Sequence, residues 1–224
     1  TGTLWMADYG PDAVQADPER GPAGHVRVFL LHGPGNYGWP YCTMNNVPYN
    51  DWNYAENAPG PWFDCAAPVN DSPNNTGLVN LPPARPADIY YTYDRKDYFP
   101  DLYGGGAMAG PRYTFDPDNP SPTKFPEWFD GQRFLYDWTA DWIRTVPSMA
   151  AFLPGVPFHK PMDLEFGPDG SLYVLEYGNG WGASNDDSGL YRIDYVAANR
   201  APSVAARSTV CLLYTSDAAD DLIG

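Results

Sequence analysis

A chain of 224 residues with 25 prolines, 22 glycines and 16% aromatic residues is rich in loops, yet too aromatic to be disordered. A formal net charge of −15 and a pI near 4.3 exclude a basic phosphate-binding face, so nucleic acid is not an expected partner. No apolar run approaches the ~20 residues of a membrane span, and few segments carry helical periodicity, so the expected class is all-β, in one or two domains.

In chain order, residues 4–8 read as a strand that ends in a Gly10-Pro11-Asp12 turn, and residues 26–31 as a second strand. Residues 33–40, GPGNYGWP, form a turn cluster. A long irregular insert follows, residues 41–86. Inserts of that length in compact domains are functional or cross-linked. Cys42 and Cys65 lie within it, and a disulfide between them would stabilise it by roughly 3 kcal/mol. Such a bond implies an oxidising compartment, secreted or periplasmic; two free buried thiols are the alternative. Asn70-Asp71-Ser72 and Asn74-Asn75-Thr76 are formal glycosylation sequons, read here as loop and turn residues. Residues 88–93, DIYYTY, are a strand candidate. Residues 104–115, GGGAMAGPRYTF, are a glycine run leading into a strand; they lack the Lys-Ser/Thr and the spacing of a phosphate cradle.

Residues 162–195 read as strand, tight turn, strand, loop, strand, with Gly170 where a hairpin needs positive φ. The unit recurs. DGSLYVLEYG at 169–178 matches TGTLWMADYG at 1–10 with a constant offset of 168; Gly2/Gly170, Leu4/Leu172, Tyr9/Tyr177 and Gly10/Gly178 are identical, and Asp8/Glu176 keep an acid. Each copy precedes a short strand carrying an arginine, Arg27 or Arg192. Residues 131–146 form a degenerate third copy, with strands at 134–137 and 142–144. Repeats near 40 residues signal a β-propeller, and the offset accommodates about four blades, or three and the insert. The expectation is a partial propeller over residues 1–198, its ring cut at the N-terminus, with 199–210 as a linker to a following domain. Residues 211–224 resemble a translated sequencing-library adapter and are expected to pack against nothing.

Four stretches carry a family resemblance: Gly10-Pro11, NYGWPYC at 36–42, GGGAMAGP at 104–111, and KPMDLEFGPDGSLYVLEYG at 160–178. Together they resemble the soluble quinoprotein glucose/sorbosone dehydrogenases, in particular the secreted, multi-domain bacterial branch, over most of residues 1–200. The resemblance implies a six-bladed propeller that binds pyrroloquinoline quinone (PQQ) and calcium and oxidises aldoses or related sugars to lactones by hydride transfer. Gly10 and Pro11 match a Gly-Pro whose carbonyls bind calcium. Lys160 aligns with a cation that pairs with the carboxylates of the cofactor, and His159 stands beside it. The implied partner is a small-molecule sugar. The family's general base and its Arg-Asn cofactor pair lie upstream of Gly10, so no catalytic residue is assigned and the chain alone is expected to be inactive. An aromatic cap falls near 104–108, where this chain has glycines, and a cofactor lysine falls near Ala140. His25, His32 and His159 do not match the position of the general base, and His25 falls on the repeat's strand as a packing or surface residue.

Two other readings use different residues. A calcium-dependent propeller lactonase or other hydrolase would gather Asp8, Asn36, Asp163, Glu176, Asn185 and Asp186 around a metal. A non-catalytic propeller binding carbohydrate or protein would use Trp39, Tyr41, Trp52, Trp62 and Trp181.

Overall fold

Short runs of β-branched and aromatic residues, each closed by Pro, Gly or Asn, become strands throughout the chain. The computed structural model describes residues 4–93, 102–182, 185–196 and 210–215. Among these the regular elements are strands and one 3₁₀ turn, Glu127–Phe129, so the all-β class holds. The chain divides into two compact units, Thr1–Ala107 and Met108–Gly224.

In the first unit, β1 (Leu4–Tyr9) pairs antiparallel with β2 (His25–Leu31). The insert follows β2, and it is not irregular as expected. It holds two small hairpins, β3 (Cys42–Thr43) with β4 (Val47–Pro48) and β5 (Asn50–Asn53) with β6 (Ala58–Trp62). Asn46 and Asn57 make their turns in the left-handed region, φ 58° and 49°, which asparagine tolerates better than most side chains. The Asn50 amide bonds Gly60 through both its donor and its acceptor, at 2.7 and 2.9 Å, replacing main-chain pairing where the β5–β6 register slips. The Cys42–Cys65 disulfide forms, with Cα atoms 6.0 Å apart. Strand β7 (Ile89–Thr92) then returns to the free side of β2, giving the order β1-β2-β7.

Arg27 is the buried centre of this unit, 2% exposed. It lies opposite Asp8 in the β1–β2 register and pairs with its carboxylate. Its Nη1 donates to the carbonyls of Tyr37 and Cys42, at 2.9 and 3.2 Å. The NYGWPYC segment is therefore a collar around a buried cation. Gly38 permits the close approach: its φ is +96°, and a Cβ there would stand 2.7 Å from the Cys42 oxygen.

In the second unit, β8 (Ala107–Arg112), β9 (Arg133–Asp137) and β10 (Trp142–Val146) form one sheet. A second antiparallel meander contains β11 (Pro161–Phe166), β12 (Leu172–Glu176) and β13 (Gly189–Val196). Gly170 makes the β11–β12 hairpin at φ +75°, as the sequence requires. One apolar cluster draws Phe134, Tyr136 and Ile143 from the first of these sheets and Leu164, Leu172, Val174 and Ile193 from the second, with Phe125, Phe129 and Phe152 from the connections. No sheet closes on itself among the described strands, and the propeller arrangement expected from the repeat is not shown.

The C-terminal segment departs from expectation. β14 (Val210–Thr215) lies parallel along β13 rather than packing against nothing. The open edge of β13 presents unpaired main-chain groups to any extended neighbour, and VCLLYT is β-prone whatever its origin. The linker expected at 199–210 and residues 216–224 lie outside the described residues apart from Val210.

Candidate functional site

The leading end of β11 gathers polar side chains from three stretches of the second unit. Lys160 precedes the strand with φ +55°, a conformation that costs a residue with a Cβ. Two contacts hold it there. Its N–H donates to Asp141 Oδ1 at 2.8 Å, and its carbonyl accepts the Tyr177 N–H at 3.0 Å. Its ammonium lies 4.7 Å over the Trp138 ring and has no carboxylate ion pair among the described residues. A bulge between Pro161 and Asp163 follows at once. The Met162 carbonyl there is taken by the Tyr136 hydroxyl at 3.1 Å, and burial raises the pKa of that phenol well above its usual range. Bulges of this kind re-aim a strand end.

His159 stands beside Lys160 and is fixed by the loop after β12. Its Nδ1 lies 2.9 Å from Asp187 Oδ2, and the Asn179 side chain donates to the same oxygen at 2.7 Å. The hydrogen bond from His159 and the N–H of Asn179 hold the Asp187 carboxyl below its ordinary value, so it is ionised and accepts only. The imidazole proton therefore sits on Nδ1, and in the neutral ring Nε2 is the acceptor.

Glu176 closes the cluster from below, 6% exposed. Burial raises its pKa, and a hydrogen bond from the His159 N–H opposes that rise. A raised carboxyl pKa costs stability as pH climbs from the unfolded value through the folded one. Glu176→Gln keeps an acceptor for His159 and removes the buried charge. We expect its Tm to exceed that of the parent by on the order of a few degrees at pH 7, and the gain to vanish below about pH 4, where both states of the parent carry a neutral Glu. Paired thermal melts across that range check it.

The Trp138 ring beneath Lys160 belongs to a cluster of three. Trp138 meets Tyr177 at 5.7 Å and Trp181 at 5.3 Å, both edge-on, and Tyr177 and Trp181 are 6.3 Å apart. The Tyr177 hydroxyl accepts the Gly182 N–H at 2.9 Å, and Asn185 donates to the carbonyls of Tyr177 and Gly180 at 2.9 and 2.8 Å. The loop carrying Trp181 is thus tied down on both sides of the ring.

Gly10 and Pro11 belong to the first unit. Their carbonyls converge as expected, but on the Tyr93 hydroxyl, which lies 3.0 and 3.1 Å from the two oxygens. The Pro11 oxygen also accepts the Ala13 N–H at 2.7 Å. The two carbonyls could serve a hard cation only if the Tyr93 hydroxyl left them. Lys160 does suit a carboxylate-bearing cofactor, as a half-buried cation over Trp138 with no carboxylate ion pair among the described residues. His159 lies beside it, committed at Nδ1.

Three of the six residues of the hydrolase reading are used elsewhere. Asp8 pairs with Arg27; Asn36 bonds Gly38 N and Pro82 O; Asn185 holds its own loop. No group of three or more His, Cys, Asp or Glu able to hold a metal occurs among the described residues. A cleft of about 640 Å³ in the first unit, lined by Pro18, Pro22, Val47, Pro48 and Trp62, contains of the expected residues only Trp62, from the binding reading. Sequence reasoning missed Asp141, Asn179 and Asp187. Its one available signal was the density of Asn and Asp in 179–187, NGWGASNDD. Compared with protein-family models, curated proteins and solved structures, the chain finds no match.

Proposed function

We propose that this chain is part of a PQQ-dependent sugar dehydrogenase, with residues 159–163 forming one wall of the cofactor site. The observation that supports this best is Lys160, a cation held in a left-handed conformation over Trp138 with no carboxylate partner among the described residues. A bound quinone of this class supplies the hydride acceptor. The residues of this chain bind and orient: Lys160 meets a cofactor carboxylate, Trp138 limits water beneath the ammonium, and Asp141 and Tyr177 fix the lysine backbone. The Cys42–Cys65 bond supports a secreted or periplasmic setting. No helix among the described residues is long and apolar enough to cross a membrane.

Titration of the chain with the quinone, followed by quenching of tryptophan fluorescence, tests the wall. Lys160→Ala is expected to weaken binding by about tenfold or more, the value of a charge-assisted hydrogen bond. Absence of binding, or equal affinity in the variant, removes the reading. Dye reduction with aldoses by the longer protein, reconstituted with quinone and calcium, tests the activity.

Calcium is proposed as the companion ion, entering at Gly10 and Pro11 once Tyr93 moves aside. Tyr93→Phe removes the competing donor and is expected to tighten binding of luminescent terbium severalfold. Unchanged terbium affinity sets these carbonyls aside as the metal site.

A further inference from the structure

The ring of Trp181 is 79% exposed, although its loop is tied by hydrogen bonds from Gly182 and Asn185. A large aromatic that buries so little contributes little to folding. Holding it in place outside the core points to a ligand instead.

The surroundings decide which ligand. Trp138, Tyr177 and Trp181 touch one another at 5.3 to 6.3 Å, so no slot remains between the rings for a quaternary ammonium group. Lys160 already covers Trp138. What the cluster offers outward is the ring of Trp181. On the same β12–β13 loop stand Asn179 and Asp187, and His159 is bonded to Asp187. These half-exposed groups combine carboxylate, amide and imidazole, which both donate to and accept from hydroxyls. With the ionised Asp187 carboxylate on its own loop, Trp181 is a poor place for a free anion, which Lys160 over Trp138 would take instead. A flat apolar face rimmed by hydroxyls fits: a neutral pyranose.

We infer that Trp181, on the loop that also carries Asn179 and the His159-bonded Asp187, is a stacking subsite for a neutral sugar. The subsite deepens the function proposed above by giving the sugar a place, and rests on it only for preferring sugars to other flat neutral ligands. It does not require quinone.

The test uses the full chain without quinone. The indole N–H signal of Trp181 is assigned by its loss in Trp181→Phe, and the parent is titrated with glucose, galactose, acyclic sorbitol and choline. The pyranoses are expected to shift that signal and to receive saturation transfer at their ring-face protons. Trp181→Ala should lose at least about tenfold in affinity, while Trp181→Phe, which keeps a stacking face, stays within about threefold of the parent. No shift with either pyranose, equal binding by Trp181→Ala, or a preference for choline or sorbitol overturns the subsite. Lys160→Ala separates the two ideas. Sugar binding that survives while quinone binding is absent in the parent keeps the subsite and removes the dehydrogenase. Quinone binding with no sugar response does the reverse.

Discussion

Phe134→Ala is expected to destabilise the second unit by about 3–5 kcal/mol, the usual cost of emptying a large aromatic from a packed core. Phe134 is fully buried on β9. Its ring meets Phe152 edge-on at 5.1 Å and Phe166 at 5.6 Å, and it stacks on Phe129 at 6.4 Å. Phe166 is on β11, so this one ring joins the two sheets of the unit. The aromatic neighbours are rigid and interlocked, and they leave little scope for collapse into the space. Amide hydrogen exchange in β9 and β12 should accelerate by orders of magnitude, while β2 in the first unit serves as the internal reference. Phe134→Leu, which keeps most of the volume, should cost much less. A cost below about 1 kcal/mol for the alanine variant would mean that the two sheets do not depend on this contact.

Reduction of the Cys42–Cys65 bond should destabilise the first unit by about 3 kcal/mol, from the entropy restored to its unfolded chain. The bond closes a loop of 23 residues in sequence separation and pins an insert whose hairpins are only two to five residues long in each strand. Strands so short have little independent stability. Cys42 is also one of the residues whose carbonyl receives the buried Arg27 guanidinium. Loosening the insert therefore exposes a cation whose remaining partners are the Tyr37 carbonyl and Asp8. Denaturant melts with and without reductant, and of the Cys42→Ala/Cys65→Ala double variant, should show matching losses. Exchange rates in β11 to β13 should be unmoved. Equal stability of oxidised and reduced chains would show that the collar around Arg27 holds the insert without the cross-link.

Much of the strand framework was readable from the residues alone. β1, β2, β7, β9, β10 and the β11–β13 meander fall where alternation and turn chemistry placed them, because both signals are local. The hairpins of the insert were not readable. They depend on asparagines in left-handed conformations and on the Asn50 amide standing in for backbone, and neither leaves a periodic trace. The acid shared by the repeat copies, Asp8 and Glu176, also had to wait for the fold. Asp8 faces Arg27, whereas Glu176 faces Gly189 and Arg192 lies opposite Tyr173. The two hairpins therefore pair in different registers, and the same sequence position became a half-buried ion-pair carboxylate in one and a desolvated carboxyl in the other.

By itself, then, the sequence determined the all-β class, the positions of most strands, the hairpin at Gly170 and the candidate disulfide, and it singled out the edge at 159–163 as a candidate. Those depend on residues within a few positions of one another, or on two cysteines confined to one loop. Tertiary structure alone decided what surrounds that edge. Asp141 arrives from the loop after β9, and Asn179, Trp181 and Asp187 from the loop after β12, so three separate stretches of chain meet at one end of the unit. It decided equally that the Gly10 and Pro11 carbonyls are held by Tyr93, more than eighty residues away in sequence. Contacts of that range are selected by sheet pairing and burial of the whole unit, which no local pattern encodes.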